Sequence, residues 1–212
     1  SFTVGRNSVT DYDIEDICGL VEPEGWQDDA EFDPCISAAG TPSSFDWRSP
    51  GGHQGANWDC TTPIKNQKCG DCWAFGTVAP LESKILINEH LSEDLSEQWL
   101  KSCNTGGYSC NGGWWAHQWH AGTKGKCGGT GAVEEDEGPP YSGSTGTCGG
   151  PYPHKYLITK WAYIGGEHSV PSTSAIKNAI YNYGPVSAAV YVDSAFQGYT
   201  GGVFKGTAGG RV

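Results

Sequence analysis

The chain is predicted to fold as an α+β protein of two lobes that share a cleft. Helical periodicity is concentrated in residues 72–122, and runs rich in β-branched and aromatic residues follow only after a glycine-rich connector from Gly122 to Gly150. At 212 residues, 37% hydrophobic and 17% charged, the chain can bury one large core or two small ones.

Each element has its own signal. After Cys72 the apolar residues Phe75, Val78, Leu81, Ile85 and Leu86 recur at roughly helical spacing, and Pro80 inside this run is expected to bend the helix or break its bonding. Ser96 is a suitable N-cap for a second helix through Glu97, Gln98, Trp99 and Leu100, and Trp114 to Ala121 reads as a third. Tyr156 to Ile164 and Pro185 to Val192 are predicted as strands. Between them Ser174 to Tyr183 is a short helix, with Ser172 or Thr173 as cap and Gly184-Pro185 as its stop. Residues 1–40 are polar and acidic, and the stretch from His53 to Cys60 reads as an insertion that decorates the surface near the cleft.

Composition excludes several functions. A net charge of -11 argues against nucleic acid, which needs clustered Lys and Arg. No apolar run approaches the ~18 to 20 residues that span a bilayer. There is no Met, so residue 1 is not expected to be a translation start. Nine cysteines point to an oxidising compartment, secreted or lysosome- and vacuole-like, with four bridges and one free thiol.

The chemistry is carried by Cys69-Gly70-Asp71-Cys72-Trp73-Ala74-Phe75, preceded by Asn66-Gln67. A thiol at a helix N-terminus sits among unpaired N–H groups at the positive end of the macrodipole, and both favour the nucleophilic thiolate. A redox Cys-x-x-Cys would want a preceding strand in a βαβ unit, and none is evident. His117 and His120, three apart, lack partners at metal-ligand spacing and read as an exposed polar face, so no metal or cofactor is expected.

This stretch resembles the papain/cathepsin family of cysteine proteases. Further similar elements follow in family order: Phe45-Asp46-Trp47-Arg48 after Pro42, Ser96-Glu97-Gln98 through Cys103, Ser109-Cys110-Asn111-Gly112-Gly113, Pro139-Pro140-Tyr141 with Cys148, Gly184-Pro185-Val186-Ser187 and Gly201-Gly202-Val203-Phe204. Gly5-x-Asn7-x-Val9-x-Asp11 with Glu15 is similar to the end of the family's inhibitory propeptide.

The resemblance implies a papain-like fold, with a helical left lobe and a β-barrel-like right lobe. It also implies residues 1–40 as propeptide, 41–150 as the helical lobe bearing the nucleophile and 151–212 as the first part of the β-rich lobe, with maturation near Gly40-Thr41. It implies an endopeptidase acting on peptide or protein substrates, with Cys72 as nucleophile and its own N–H and the Gln67 carboxamide as oxyanion donors. The propeptide would cross the cleft against the substrate direction. Gly112 and Gly113 would let a peptide backbone approach. Trp114 and Trp115 would wall the pocket for the substrate's second residue over Ala189, selecting a bulky apolar side chain, although one of the two is expected to fill core. Cys69 would pair with Cys110 and Cys103 with Cys148, leaving Cys18, Cys35, Cys60 and Cys127 as two further pairs.

Two departures bear on the chemistry. Gln67 stands five residues before Cys72 where the family spacing is six, and Asp71 replaces a small residue. A carboxylate there opposes thiolate formation, or caps the helix. The family's catalytic His and Asn would fall beyond Val212, the His by roughly two residues. The 212 residues alone are therefore expected to be inactive and to need a second chain to complete the β-rich lobe. The competing reading is a non-catalytic papain-like component of a larger assembly.

Overall fold

The computed structural model describes residues 2–28, 30–34, 40–166 and 169–206. Its elements run β1 (Phe2–Val4), α1 (Ile14–Ile17), β2 (Phe32–Asp33), α2 (Cys72–Glu89), α3 (Glu97–Cys103), α4 (His117–Ala121), β3 (Tyr163–Ile164), α5 (Thr173–Tyr183), α6 (Ser194–Gln197) and β4 (Tyr199–Gly202). No described helix is long and apolar enough to cross a membrane.

The main core lies between α2, α3 and α4. Trp73, Ala74, Val78 and Ile85 of α2 pack on Trp99, Leu100 and Cys103 of α3, on Trp119 of α4 and on Val133. This is the face that the helical spacing marks out. α3 begins as expected, with Ser96 Oγ accepting from Trp99 N at 3.1 Å. α5 is capped by Ser172 and stopped at Gly184, whose φ of 126° favours glycine.

Pro80 does not break α2, which is one helix over Cys72–Glu89. Proline has no N–H for the carbonyl of Gly76, four residues back. The Ser187 hydroxyl donates to that carbonyl instead, so a residue of the C-terminal half repairs a gap in the helix of the N-terminal half.

Other expectations change. α4 begins at His117, not Trp114, because Ala116 N is taken by Thr77 Oγ1 at 2.9 Å and Gly113 bonds to an extended segment at residues 19–21. The run from Tyr156 to Ile164 pairs only at Tyr163–Ile164 and in a bridge between Tyr156 and Ala132, and Pro185 to Val192 forms no strand among the described residues beyond a single bridge position at Val192. Strand propensity needs a neighbouring strand to become a ladder. His117 and His120 do not form an exposed face; His120 is 1% exposed.

The insertion is not beside the cleft. It packs Ala56 and Cys60 against Trp47 and Ile87, with Trp58 Nε1 donating to Leu86 O and the His53 ring stacked 3.8 Å from Tyr181. It therefore joins the C-terminal ends of α2 and α5.

The described residues among the first forty wrap the rest. β1 pairs antiparallel with β4, matching Phe2 with Gly202 and Thr3 with Gly201. Asn7 Nδ2 donates to Gln197 O and Tyr199 O, while its Oδ1 accepts from Val9 N and Thr10 N. β2 pairs parallel with β3, and Trp26 sits among Phe32, Trp114 and Tyr163 at ring separations of 4.4–6.1 Å.

The Cys69–Cys110 and Cys103–Cys148 bridges form as expected. Of the four remaining cysteines Cys60 and Cys127 are unbridged, so the expectation that all four pair off fails at these two. Cys60 is enclosed by aromatic rings with its Sγ on Trp58 O at 3.4 Å. The Cys127 sulfur lies within 4.8 Å of both sulfurs of the Cys103–Cys148 bridge. Cys35 falls outside the described residues.

Candidate active site

Cys72 is the first residue of α2, and Asp71 is its N-cap. The thiol faces a cavity of about 320 Å³. Gln67, Gly76, Trp115, Ser187 and Ala189 line the cavity with it, joined by Val9, Ile17 and Leu20 from the N-terminal segment. The site is thus built by both halves of the chain and covered by a third part.

The covering segment crosses at residues 17–21. Leu20 pairs with Gly113 in a parallel bridge, with Gly113 N donating to Gly19 O at 2.9 Å and Val21 N donating to Gly113 O at 2.8 Å. The two glycines of the strip serve different ends. A Cβ on Gly112 (φ 126°) would stand 2.6 Å from Val21 Cγ2 and 3.0 Å from Gly19 O, so close approach of the segment requires glycine there. A Cβ on Gly113 would meet Trp73 and Tyr108 at 2.8 Å, which is a demand of the core. Gly19 was not singled out from the sequence, yet a Cβ there would lie 1.9 Å from Gly70 O. Only an isolated glycine in a polar segment marked it.

The covering segment also sets the electrostatics. Burial pushes the Cys72 thiol up from its ordinary value, while hydrogen bonds from the backbone of Gly19 and Trp73 pull it down and the Cys18 and Asp71 side chains push it further up. The thiolate expected from the helix N-terminus is therefore opposed in this covered form, because desolvation outweighs the N–H groups. Gln67 Nε2 donates to Ile17 O at 2.5 Å and to Cys69 O at 2.6 Å. Its shortened spacing still brings the carboxamide into the Cys72 cavity, where the crossing segment engages it.

Trp115 and Ala189 line the cavity, whereas Trp114 does not; its indole donates to Tyr163 Oη at 2.8 Å and packs on Trp26. Of the histidines, His53 stacks on Tyr181, His90 on Trp58 and His117 on Trp161, His120 is buried near Trp99, and His154 bonds Gly131 O. None of these lines the Cys72 cavity. Burial lowers the His117 imidazole to about 4 and the His120 imidazole to about 3. The ligand-like clusters Cys103/Cys127/Cys148 and Cys69/Asp71/Cys110 each spend two sulfurs on a disulfide, which leaves too few donors for a metal.

Asp71 does not cap α2 with its side chain. Its carboxylate turns inward to Lys101 Nζ at 2.6 Å and Tyr141 Oη at 2.9 Å, with both charged side chains 0% exposed. Nearby, Lys65 Nζ gathers Glu82, Asp94 and Glu97 at 2.6–2.9 Å and ties the segment before Cys72 to α2 and α3.

The geometry agrees with known proteins. Residues 41–211 match the family described as papain family cysteine protease. Ananain of Ananas comosus is 31% identical over 100% of this chain and 58% of its own length, so the chain spans little more than half of that relative. Stem bromelain of the same plant is 34% identical over 79% of the chain and 71% of its own length. The structure of digestive procathepsin L2 proteinase from Tenebrio molitor larval midgut superposes with a TM-score of 0.79 at 27% identity, covering 97% of this chain and 64% of that one. The chain belongs to the papain family of cysteine proteases.

Proposed function

We propose that this chain is the proenzyme form of a papain-like cysteine endopeptidase, with residues 1–40 as the propeptide that occupies its cleft. The observation that carries this reading is the convergence on one cavity of Cys72, at the start of α2, with Gln67, Trp115 and Ala189, under a segment that runs parallel to Gly113. A substrate running the other way would pair antiparallel with Gly113 and present its carbonyl carbon to Cys72.

The Cys72 thiolate then attacks that carbon, forming a C–S bond as the carbonyl electrons move onto oxygen. The Cys72 N–H and the Gln67 carboxamide receive the oxyanion. Collapse breaks the C–N bond, the departing amine takes a proton from an imidazolium, and water hydrolyses the thioester. That imidazole, with the Asn that orients it, comes from residues outside those described. In the covered form Ile17 O holds the Gln67 amide, so the oxyanion donor is released only when residues 1–40 leave.

Trp115 and Ala189 give the pocket for the substrate's second residue a preference for bulky apolar side chains, and Trp114 takes no part in it. A secreted, vacuolar or lysosomal compartment suits the two disulfides.

The test uses the full-length protein after cleavage near Gly40-Thr41 and an epoxide inactivator of cysteine proteases. Labelling confined to Cys72, with loss of peptide cleavage, is the expected result. Cleavage that survives Cys72→Ser overturns the reading.

A further inference from the structure

The buried charge beside the nucleophile is unused by the mechanism above. Asp71 and Lys101 are both 0% exposed, and their 2.6 Å contact is reinforced by Tyr141 Oη on Asp71 Oδ2 and by Lys101 Nζ donating to Ser142 O at 2.7 Å. Lys101 also lies 4.4 Å over the Tyr141 ring and 3.8 Å from Cys69 Sγ. A charge carried into the interior without a partner is strongly destabilising, so neither residue fits this site without the other.

The pair is placed by the backbone that presents the thiol. Ala74 N donates to Asp71 O at 2.9 Å, so Asp71 closes the first turn of α2 through its carbonyl while its carboxylate makes no cap hydrogen bond. Lys101 comes from α3 and Tyr141 from the connector, and Tyr141 Oη also accepts from Lys68 N at 3.0 Å. These contacts grip both sides of the Cys69–Cys72 turn.

We propose that Lys101, assisted by Tyr141, is a positioning residue for Cys72: it draws the neighbouring carboxylate into the interior, cancels its negative charge at the sulfur and fixes the peptide unit that ends in the Cys72 N–H. The proposal rests on Cys72 being the nucleophile. The groups that face the sulfur are the Cys18 and Asp71 side chains, the Gln67 carboxamide and the backbone of Gly19 and Trp73. Those facing Asp71 are Lys101, Tyr141 and the Cys69–Cys110 bridge. Burial already holds the thiol above its ordinary value.

The experiment is a pH titration of the full chain labelled with 13Cβ-cysteine and followed by NMR, the Cys72 resonance being assigned from Cys72→Ser. Lys101→Met removes the compensating cation and is expected to raise the Cys72 midpoint by about one pH unit, the order of effect of one nearby unit charge at an effective dielectric constant of about 20. Lys101→Arg keeps the parental midpoint, and Asp71→Ser/Lys101→Met returns to within about 0.3 units of it.

Should Lys101→Met not fold, Tyr141→Phe supplies the same reading by removing one partner of the carboxylate, with a rise of a few tenths of a unit. An unchanged midpoint in whichever of these variants folds overturns the proposal and leaves the pair a packing device. The titration needs no turnover: a moved midpoint in a protein without peptidase activity supports the proposal while removing the protease reading. In an active protein the acidic limb of kcat/KM moves with the midpoint.

Discussion

Pro80 and Ser187 make a sharp test of how the two halves of the molecule are joined. Proline removes the N–H that would bond the Gly76 carbonyl, and the Ser187 hydroxyl is the donor the structure supplies in its place. Ser187→Ala leaves a half-buried carbonyl without its donor. A net hydrogen bond is worth about 1 kcal/mol and an orphaned buried acceptor costs about 1–3, so the variant is expected to lose about 1–2 kcal/mol. In a Pro80→Ala background the restored amide bonds Gly76 itself, and the same serine substitution is expected to cost only about 0.5 kcal/mol. The double-mutant cycle should therefore show a coupling of about 1 kcal/mol between residues 107 positions apart in sequence. Urea unfolding with the disulfides intact, followed by tryptophan fluorescence, measures all four corners. Additive effects within about 0.3 kcal/mol would refute the argument that Ser187 answers for the proline.

Gly112→Ala places a Cβ 2.6 Å from Val21 Cγ2 and 3.0 Å from Gly19 O at a φ of 126°; limited proteolysis should cut residues 17–21 faster than in the parent, and an unchanged rate would count against the close approach. At Lys65, one ammonium serves three carboxylates, and burial raises Glu97 to about 7. A carboxyl raised in the folded state disfavours folding once ionised, so its contribution falls as pH rises from about 4.5 to 7. Glu97→Gln should thus gain stability over the parent by up to about 3 kcal/mol between pH 5 and 7.5, read from paired urea midpoints. His120 has the opposite sign. Its imidazole is depressed to about 3 in the fold, so stability is lost as pH falls below about 6.5, and His120→Phe should recover up to about 3 kcal/mol between pH 7 and 4 in thermal melts.

Local chemistry was readable wherever a residue acts through its immediate neighbours. Ser96 and Ser172 cap the helices that follow them, Gly184 stops α5, and the apolar spacing after Cys72 marks the buried face of α2. The two bridges follow from the resemblance, and Gln67, Trp115 and Ala189 do meet Cys72. Readings failed where the partner is distant. Trp114 and Trp115 are equivalent as letters, but Tyr163 and Trp26 claim the first and leave the second to the cavity. Asp71 has the chemistry of a cap and is instead drawn inward by Lys101, thirty residues away. Nothing local to Cys60 or Cys127 shows that each stays unbridged.

By itself, then, the order of residues determined that a cysteine opens a helix behind a glutamine, and that serines, glycines and apolar repeats bound the helices around it. Those outcomes depend on backbone N–H groups and side chains within a few positions of each other. Only the tertiary structure decided that residues 17–21 lie parallel over the sulfur, that desolvation there outweighs the helix N-terminus, and that a serine from the far half repairs α2. Burial, field and hydrogen-bond completion all depend on which distant segments come into contact, and no local pattern encodes that contact.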